Sequence, residues 1–279
     1  MTITSHGRRK RHVRTLFVSD VHLGCKYSQA ESFLHFLHSH TPETIYLVGD
    51  FIDGWRLKRN WYWSDTNNHV LRHLIELADQ GVRLVYTPGN HDEFLRHFHY
   101  DFDLVEIVDE IIHTTANGRR FFVTHGDKFD HVERCHKWLS LVGACGYDVL
   151  CWSNAVLNRL RAKLKLEARN FSGWAKRRVK RAVQFVSDFE GRLIDHARGL
   201  GCDGVICGHI HTPTISPGED ILYCNTGDWV ENRSAIVENY DGELELVHWD
   251  AETLSISPPA PLKLPKPLSN VAAMAEAVA

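Results

Sequence analysis

Five times along this 279-residue chain, a short apolar run breaks onto a block of Asp, Asn, His and Gly. The blocks are Asp20-Val21-His22, Gly49-Asp50-Phe51-Ile52-Asp53, Gly89-Asn90-His91-Asp92, His125-Gly126-Asp127 and Gly208-His209-Ile210-His211. The runs ahead of them, at 13–19, 44–48, 83–86, 121–124 and 204–207, read as buried strands. Helical spacing follows at 29–39, with Phe33, Leu34 and Leu37 on one side, and at 69–80, which stops at Gly81. Strand, polar loop, helix, repeated, is the pattern of a layered α/β fold. Oxygen and imidazole ligands at successive strand ends are then gathered into one cleft. Toward the end, 221–225, 234–239 and 243–249 read as antiparallel strands, with Asp241-Gly242 as a hairpin turn.

Between His125 and His209 the pattern changes. Residues 129–198 hold no strand-like run. Their first half is apolar and aromatic, with Trp138, Leu139, Leu141, Val142, Tyr147, Leu150 and Trp152. Their second half is basic, with Arg159, Arg161, Lys163, Lys165, Arg169, Lys176, Arg177, Arg178, Lys180 and Arg181. The expected organisation is a core of 13–128 and 199–257, a helical cap insertion at 129–198, and a disordered tail at 258–279, rich in Pro and then Ala. The insertion's aromatic residues suit either a ligand trough or its own packed core.

Composition excludes some classes. A net charge of −3 disfavours a general nucleic-acid binder. Seven cysteines with no CxxC spacing point to reduced thiols rather than a disulfide framework or a zinc finger. The cluster Arg8-Arg9-Lys10-Arg11 precedes an apolar run too short for a signal peptide and closed by Asp20. No stretch reaches the roughly 18 apolar residues of a spanning helix. The expectation is a cytoplasmic protein, soluble or peripheral on the inner membrane.

Two divalent ions about 3.5–4 Å apart can share a carboxylate and clamp a phosphate for in-line attack. The five blocks, intact and in this order, resemble the calcineurin-like metallophosphoesterase family. That resemblance implies a two-sheet layered α/β sandwich and a dinuclear metal hydrolase. Carried over motif by motif, it implies that Asp20, His22, Asp50 and His211 hold one ion, and Asp50, Asn90, His125 and His209 the other. Asp50, in the middle of the set, bridges. The neutral amide of Asn90 limits negative charge near the substrate. The mixed carboxylate and imidazole ligands suit manganese, with iron or zinc as alternatives. The resemblance gives His91 the task of protonating the leaving oxygen or stabilising the transition state, oriented by Asp53, the second Asp of the Gly-Asp-x-x-Asp block. An imidazole of ordinary pKa, about 6.5, suits that transfer. Asp92 reads as a partner for nearby backbone or for Arg96, and Asp127 as a turn residue.

Three features narrow the resemblance: Trp55 two residues after Asp53, the insertion after His125-Gly126-Asp127, and Gly227-Asp228-Trp229. Together they are similar to the UDP-2,3-diacylglucosamine pyrophosphatase branch, across about residues 13 to 250. Members of that branch split a lipid-linked UDP-sugar at its diphosphate into the acylated sugar 1-phosphate and UMP. They imply a lipid-linked nucleotide-sugar substrate, and the insertion's basic half would meet anionic headgroups at a membrane surface. One position departs: lipid A pathway members carry Arg where this chain has His91. A phosphodiesterase or phosphatase acting on soluble nucleotides or nucleic acid therefore stays open, as does a non-catalytic metal-binding scaffold. The presence of His91 counts against the scaffold.

Overall fold

The computed structural model describes residues 10–97, 104–130 and 188–249; most of the expected insertion and the expected tail at 258–279 lie outside them. The described elements are β1 (Arg11–Val18), α1 (Ala30–Ser39), β2 (His40–Leu47), α2 (Gly54–Arg59), α3 (Asp65–Asp79), β3 (Arg83–Tyr86), β4 (Glu106–Ile107), β5 (Ile111–Thr114), β6 (Arg120–Val123), α4 (188–199), β7 (Gly204–Cys207), β8 (Thr214–Pro217), β9 (Leu222–Asn225), β10 (Ser234–Glu238) and β11 (Leu244–His248). They form two sheets, in the orders β11-β10-β1-β2-β3-β4 and β5-β6-β7-β9-β8. β1 to β4 run parallel in the first, and β6, β7 and β9 in the second. Antiparallel strands flank both parallel sets.

The period-2 alternation of each apolar run explains the layering. Phe17, Tyr46, Val48, Val85 and Ile236 of the first sheet pack with Phe121, Val123, Ile206 and Cys224 of the second. Their neighbours face the other way. Leu16, Val18, Ile45, Leu47, Leu84 and Val237 meet Phe33, Phe36 and Leu37 of α1 and Val70, Leu74 and Leu77 of α3. Phe122, Val205, Cys207 and Tyr223 meet Phe189, Leu193 and Ala197 of α4. The result is a helix–sheet–sheet–helix sandwich. Parallel central strands buried on both faces carry near-continuous apolar runs, which is why they are legible in the sequence.

The C-terminal strands differ from expectation. β9 does not join an antiparallel set with β10 and β11. It runs parallel to β7 in the second sheet, while β10 and β11 form a hairpin on the first. The chain changes sheets between Asn225 and Ser234. Local pattern marks a strand but does not choose its partner. The hairpin turn is as expected: Gly242 has a φ of 84°, and its N–H donates to Asn239 O at 3.0 Å. Residues 188–198, grouped with the insertion on sequence grounds, belong to α4 and pack on the second sheet.

Candidate metal centre

All five blocks follow the C-terminal ends of parallel strands: β1, β2, β3, β6 and β7. That edge of an α/β sheet is where ligands bind. The backbone there is strained. Six non-glycine residues among those described have a positive φ, and five of them are Asp20 (52°), His22 (51°), Asp50 (51°), His209 (69°) and His211 (52°). Such left-handed residues each cost roughly 1–2 kcal/mol and persist only where neighbours hold them. Here the neighbours are identifiable. The N–H groups of Asp20, His22 and Leu23 donate to the carbonyls of Gly49, Asp50 and Phe51 at 3.0, 2.9 and 2.8 Å. The β1–β2 pairing thus continues into the loops and sets the first two blocks side by side.

The glycines of the blocks have a steric reason. A Cβ at Gly89 would collide with Asp50 Oδ1 and the His125 imidazole. One at Gly208 would collide with Ser19 Oγ and Asp20 Oδ2. Close approach of backbone to ligand side chains, between strands and across the two sheets, requires hydrogen at both positions.

Asp20, His22, Asp50, Asn90, His91 and His125 converge with His211. His211 Nε2 lies 3.0 Å from Asp20 Oδ1, and His22 Nε2 lies 3.9 Å from both Asp20 Oδ1 and Asp50 Oδ2. His125 Nε2 lies 3.5 Å from Asp50 Oδ1 and 3.3 Å from Asn90 Oδ1. Three overlapping groups have ligand atoms mutually within 4.8 Å: Asp20, His22 and His211; His22, Asp50 and His91; Asp20, Asp50 and His125. His209 stands outside these groups. Its ring is 5.2 Å from that of His125, and its Nε2 is held 3.0 Å from Asp130 Oδ2. Asp20, Asp50 and His125 form a buried floor, while His91 and His211, with side chains 23% and 38% exposed, stand at the mouth.

The electrostatics favour cations. Burial alone would raise the Asp20 carboxyl, but His211, His125 and His22 hold it well below the usual carboxylate range. Burial alone would lower His125 and His211, yet Asp50 and Asp20 push His125 up to about 9, and Asp20 with Asp228 and Asp50 does the same for His211. A pocket that stabilises charge on its imidazoles this strongly has a surplus of carboxylate field. Buried carboxylates, one amide and imidazoles fit divalent transition-metal ions.

His91 is placed differently. Its Nδ1 lies 2.9 Å from Asp53 Oδ1, and its N–H donates to Asp50 Oδ1 at 2.8 Å. Its ring stacks on Trp55, centroids 4.2 Å apart, and meets the His22 ring edge-on at 4.7 Å. Burial would lower its pKa, but the Asp53 hydrogen bond and the Asp50 and Asp53 charges raise it. Burial likewise acts to raise Asp53, and the His22 imidazole, 3.5 Å away, together with hydrogen bonds from His91 and the Arg56 N–H, pulls it below the usual range. With Nδ1 engaged by Asp53, Nε2 faces the cleft, 3.9 Å from Asp50 Oδ2.

Several supporting residues escaped sequence reasoning. Asp130 orients His209. The signal was available: Gly126-Asp127-Lys128-Phe129-Asp130 repeats the Gly-Asp-x-x-Asp spacing of Gly49–Asp53. Ser19 Oγ donates to Asp20 Oδ2 and meets Thr226 Oγ1 at 2.6 Å. Asp228 accepts from the Val230 and Glu231 N–H groups and from Asn232 Nδ2, which also donates to His211 O at 3.0 Å. Asp92 accepts from the backbone N–H groups of Phe51 and Gly89 at 2.8 and 2.6 Å and from Tyr86. It does not take Arg96, which donates to Asp127 at 2.9 Å; Asp127 opens a short 3-10 turn.

A family model for calcineurin-like phosphoesterases matches residues 13–213. Among curated proteins, a UDP-2,3-diacylglucosamine hydrolase of Neisseria meningitidis serogroup C is 24% identical over 247 residues, covering 81% of this chain and 94% of its own. Proteins of the same name from Vibrio atlanticus and Haemophilus influenzae are 23% and 22% identical, covering 81% and 80% of this chain and 93% of theirs. A solved archaeal phosphodiesterase aligns over 84% of this chain and 98% of its own, with 15% identity and a TM-score of 0.41.

Proposed function

The chain belongs to the calcineurin-like phosphoesterase family and is a metal-dependent hydrolase; from that premise we propose that it cleaves the diphosphate of a lipid-linked UDP-sugar, UDP-2,3-diacylglucosamine or a close analogue, to the acylated sugar 1-phosphate and UMP. The observation that carries the substrate is likeness, over 81% of this chain, to curated hydrolases of that lipid. In this reading Asp20, His22, Asp50 and His211 hold one cation, and Asp50, Asn90, His125 and His209 the other. Asp50 suits the shared position because its two oxygens face different partners, Oδ2 toward His22 and Oδ1 toward His125. Two such ions, manganese in our assignment with iron or zinc as alternatives, would supply positive charge for the phosphoryl oxygens and a water of lowered pKa.

The chain's own residues do the rest. Asp53 fixes the His91 tautomer with hydrogen on Nδ1. A protonated His91 then presents its Nε2 hydrogen to the cleft, where a departing oxygen can take it. Trp55 covers one face of that ring and limits access of water to it. Ser19 and Asp130 hold Asp20 and His209 in place. Asn90 contributes an oxygen without adding negative charge beside a phosphate. The Asp53–His91 hydrogen bond also argues against a non-catalytic scaffold.

We assign the enzyme to the cytoplasmic face of the inner membrane as a peripheral protein; among the described residues no helix is long and apolar enough to cross one. The aromatic-then-basic order of the 129–198 segment supports a role for it in lipid binding. A second reading, hydrolysis of a soluble nucleotide phosphodiester, is favoured by His91 in place of the Arg of the lipid A members. Purified protein with manganese should be assayed on detergent-dispersed UDP-2,3-diacylglucosamine and on bis-nitrophenyl phosphate. Release of UMP and the lipid 1-phosphate supports the first reading. Turnover of the aryl diester with none of the lipid moves the soluble reading ahead.

A further inference from the structure

Between Gly54 and Ser64 the chain carries Arg56, Lys58 and Arg59, the aromatics Trp55, Trp61, Tyr62 and Trp63, and no acidic residue. This arm starts inside the candidate site. Asp53 caps α2, accepting from the Arg56 N–H at 3.0 Å, and Trp55 stacks on His91. It then leaves the site along the surface. Leu57 packs so closely on Gly24 that a Cβ there would strike it, which seats α2 over the loop following His22. That loop adds Lys26 and Tyr27: the Arg56 guanidinium lies 5.9 Å from the Tyr27 ring centroid and Lys26 Nζ 6.0 Å.

The outer end is open to solvent. Trp61 is 73% exposed, the most of any large apolar side chain among those described, with Tyr62 at 43% and Tyr27 at 61%. Lys26, Lys58 and Arg59 are exposed beside them. Trp63 is anchored, its Nε1 donating to Asn68 at 2.8 Å, and the Trp61 ring centroid lies 6.5 Å from that of Trp63. The other exposed large apolar residues, Ile75, Leu104, Ile112, Leu200 and Tyr240, occur one at a time. Single exposed apolar residues need no explanation; a contiguous aromatic and basic patch does.

We propose that this arm, with Lys26 and Tyr27, docks the protein on an anionic bilayer with the mouth of the metal site beside the lipid surface. Trp and Tyr favour the headgroup layer, and Lys and Arg extend beside them to lipid phosphates. The charge complementarity is local. The chain as a whole is −3, so the basic cluster is not a by-product of a basic protein. The purpose of the contact rests on the lipid-linked substrate, but the contact itself is measured apart from it.

The test is co-sedimentation of the full chain with vesicles of phosphatidylcholine alone and with added phosphatidylglycerol, at low and high salt. The parent should sediment with the anionic vesicles at low salt and remain in solution with the neutral ones. The pairs Lys58→Gln with Arg59→Gln, and Trp61→Ser with Tyr62→Ser, should each weaken sedimentation by about tenfold or more. Both should keep parental turnover of detergent-dispersed substrate and of an aryl diester, which also shows that they fold. A parent that ignores anionic vesicles overturns the proposal, and so do variants that sediment like the parent. It is equally overturned if binding is lost only on replacing Arg177, Arg178, Lys180 and Arg181 with Gln, which places docking in the insertion. Loss of RNA binding without loss of vesicle binding would assign the arm to nucleic acid instead. Vesicle binding without lipid hydrolysis leaves this proposal standing and removes the substrate reading; the converse does the opposite.

Discussion

At the scale of residues, the candidate site is built around left-handed backbone at Asp20, His22, Asp50, His209 and His211. Asp50 lies between the groups: its oxygens approach His22, His91 and His125, and it accepts the His91 backbone N–H. Asp50→Ala should lose bound metal and activity together, measured as metal per chain alongside turnover. A variant that keeps two ions and near-parental rates would exclude a shared ligand. His91→Ala should retain metal and slow hydrolysis of an alkyl diester by about 10²–10⁴-fold. The loss should be smaller for a nitrophenyl diester or a diphosphate, whose leaving groups need less protonation. Equal losses across all three would make His91 an electrostatic or positioning group. Asp130→Asn keeps the shape of the His209 partner but removes its charge. It should cost about 10–100-fold in metal affinity, read by metal titration followed calorimetrically, with an unchanged melting temperature. Asp130 was legible only as the second half of a repeated spacing, because nothing local in the sequence says which imidazole a carboxylate will meet.

At the scale of elements, long central strands and amphipathic helices were readable, and edges were not. β3 and β7 match expectation residue for residue. β5 and β8 are short edge strands, Ile111–Thr114 and Thr214–Pro217, with polar residues and a proline. Edges are built that way to resist further pairing, so they lack the apolar run that marks a strand. α3 starts at Asp65, ahead of the expected 69, because Ser64 caps it by accepting from the Asn67 N–H. α4 has a second task besides covering the sheet. Phe189, fully buried, would meet a Cβ at Gly126, and its ring lies 5.8 Å from His209. Phe189→Ala should destabilise the fold by about 3–5 kcal/mol, measured by denaturant unfolding, and should also weaken metal binding by loosening His209. Lost stability with unchanged metal affinity would confine Phe189 to packing.

At the scale of the whole molecule, the two sheets are tied together toward the end of β1 opposite Asp20. Glu238 of β10 accepts from Thr15 at 2.6 Å, His113 Nε2 of β5 at 2.8 Å and the Ala116 N–H at 2.8 Å, and pairs with Arg14. Arg14 also reaches Thr114 O at 3.0 Å. Burial would raise the Glu238 carboxyl, but these donors lower it from 4.5 to about 2. A depressed folded-state pKa adds stability that is fully present above the unfolded value. That stability is lost as pH falls from the unfolded value toward about 2. The stake is on the order of 3 kcal/mol. Urea midpoints should therefore fall across that acid window, and Glu238→Gln should be less stable at neutral pH with a flatter acid limb. A variant with the parental pH profile would remove Glu238 as the source.

By itself, the sequence determined the layered α/β class, the central strands and a set of candidate metal-binding residues. Those features are local: apolar alternation follows from burial on two faces, and Asp, His and Asn carry their chemistry wherever they fall. The tertiary structure decided what depends on partners distant in the chain. It sent β9 to one sheet and β10 to the other, paired Asp53 with His91 and Asp130 with His209, and packed Gly208 against Asp20. A side chain's identity is written in one position, whereas the atom it faces is chosen by the packing of the whole sandwich.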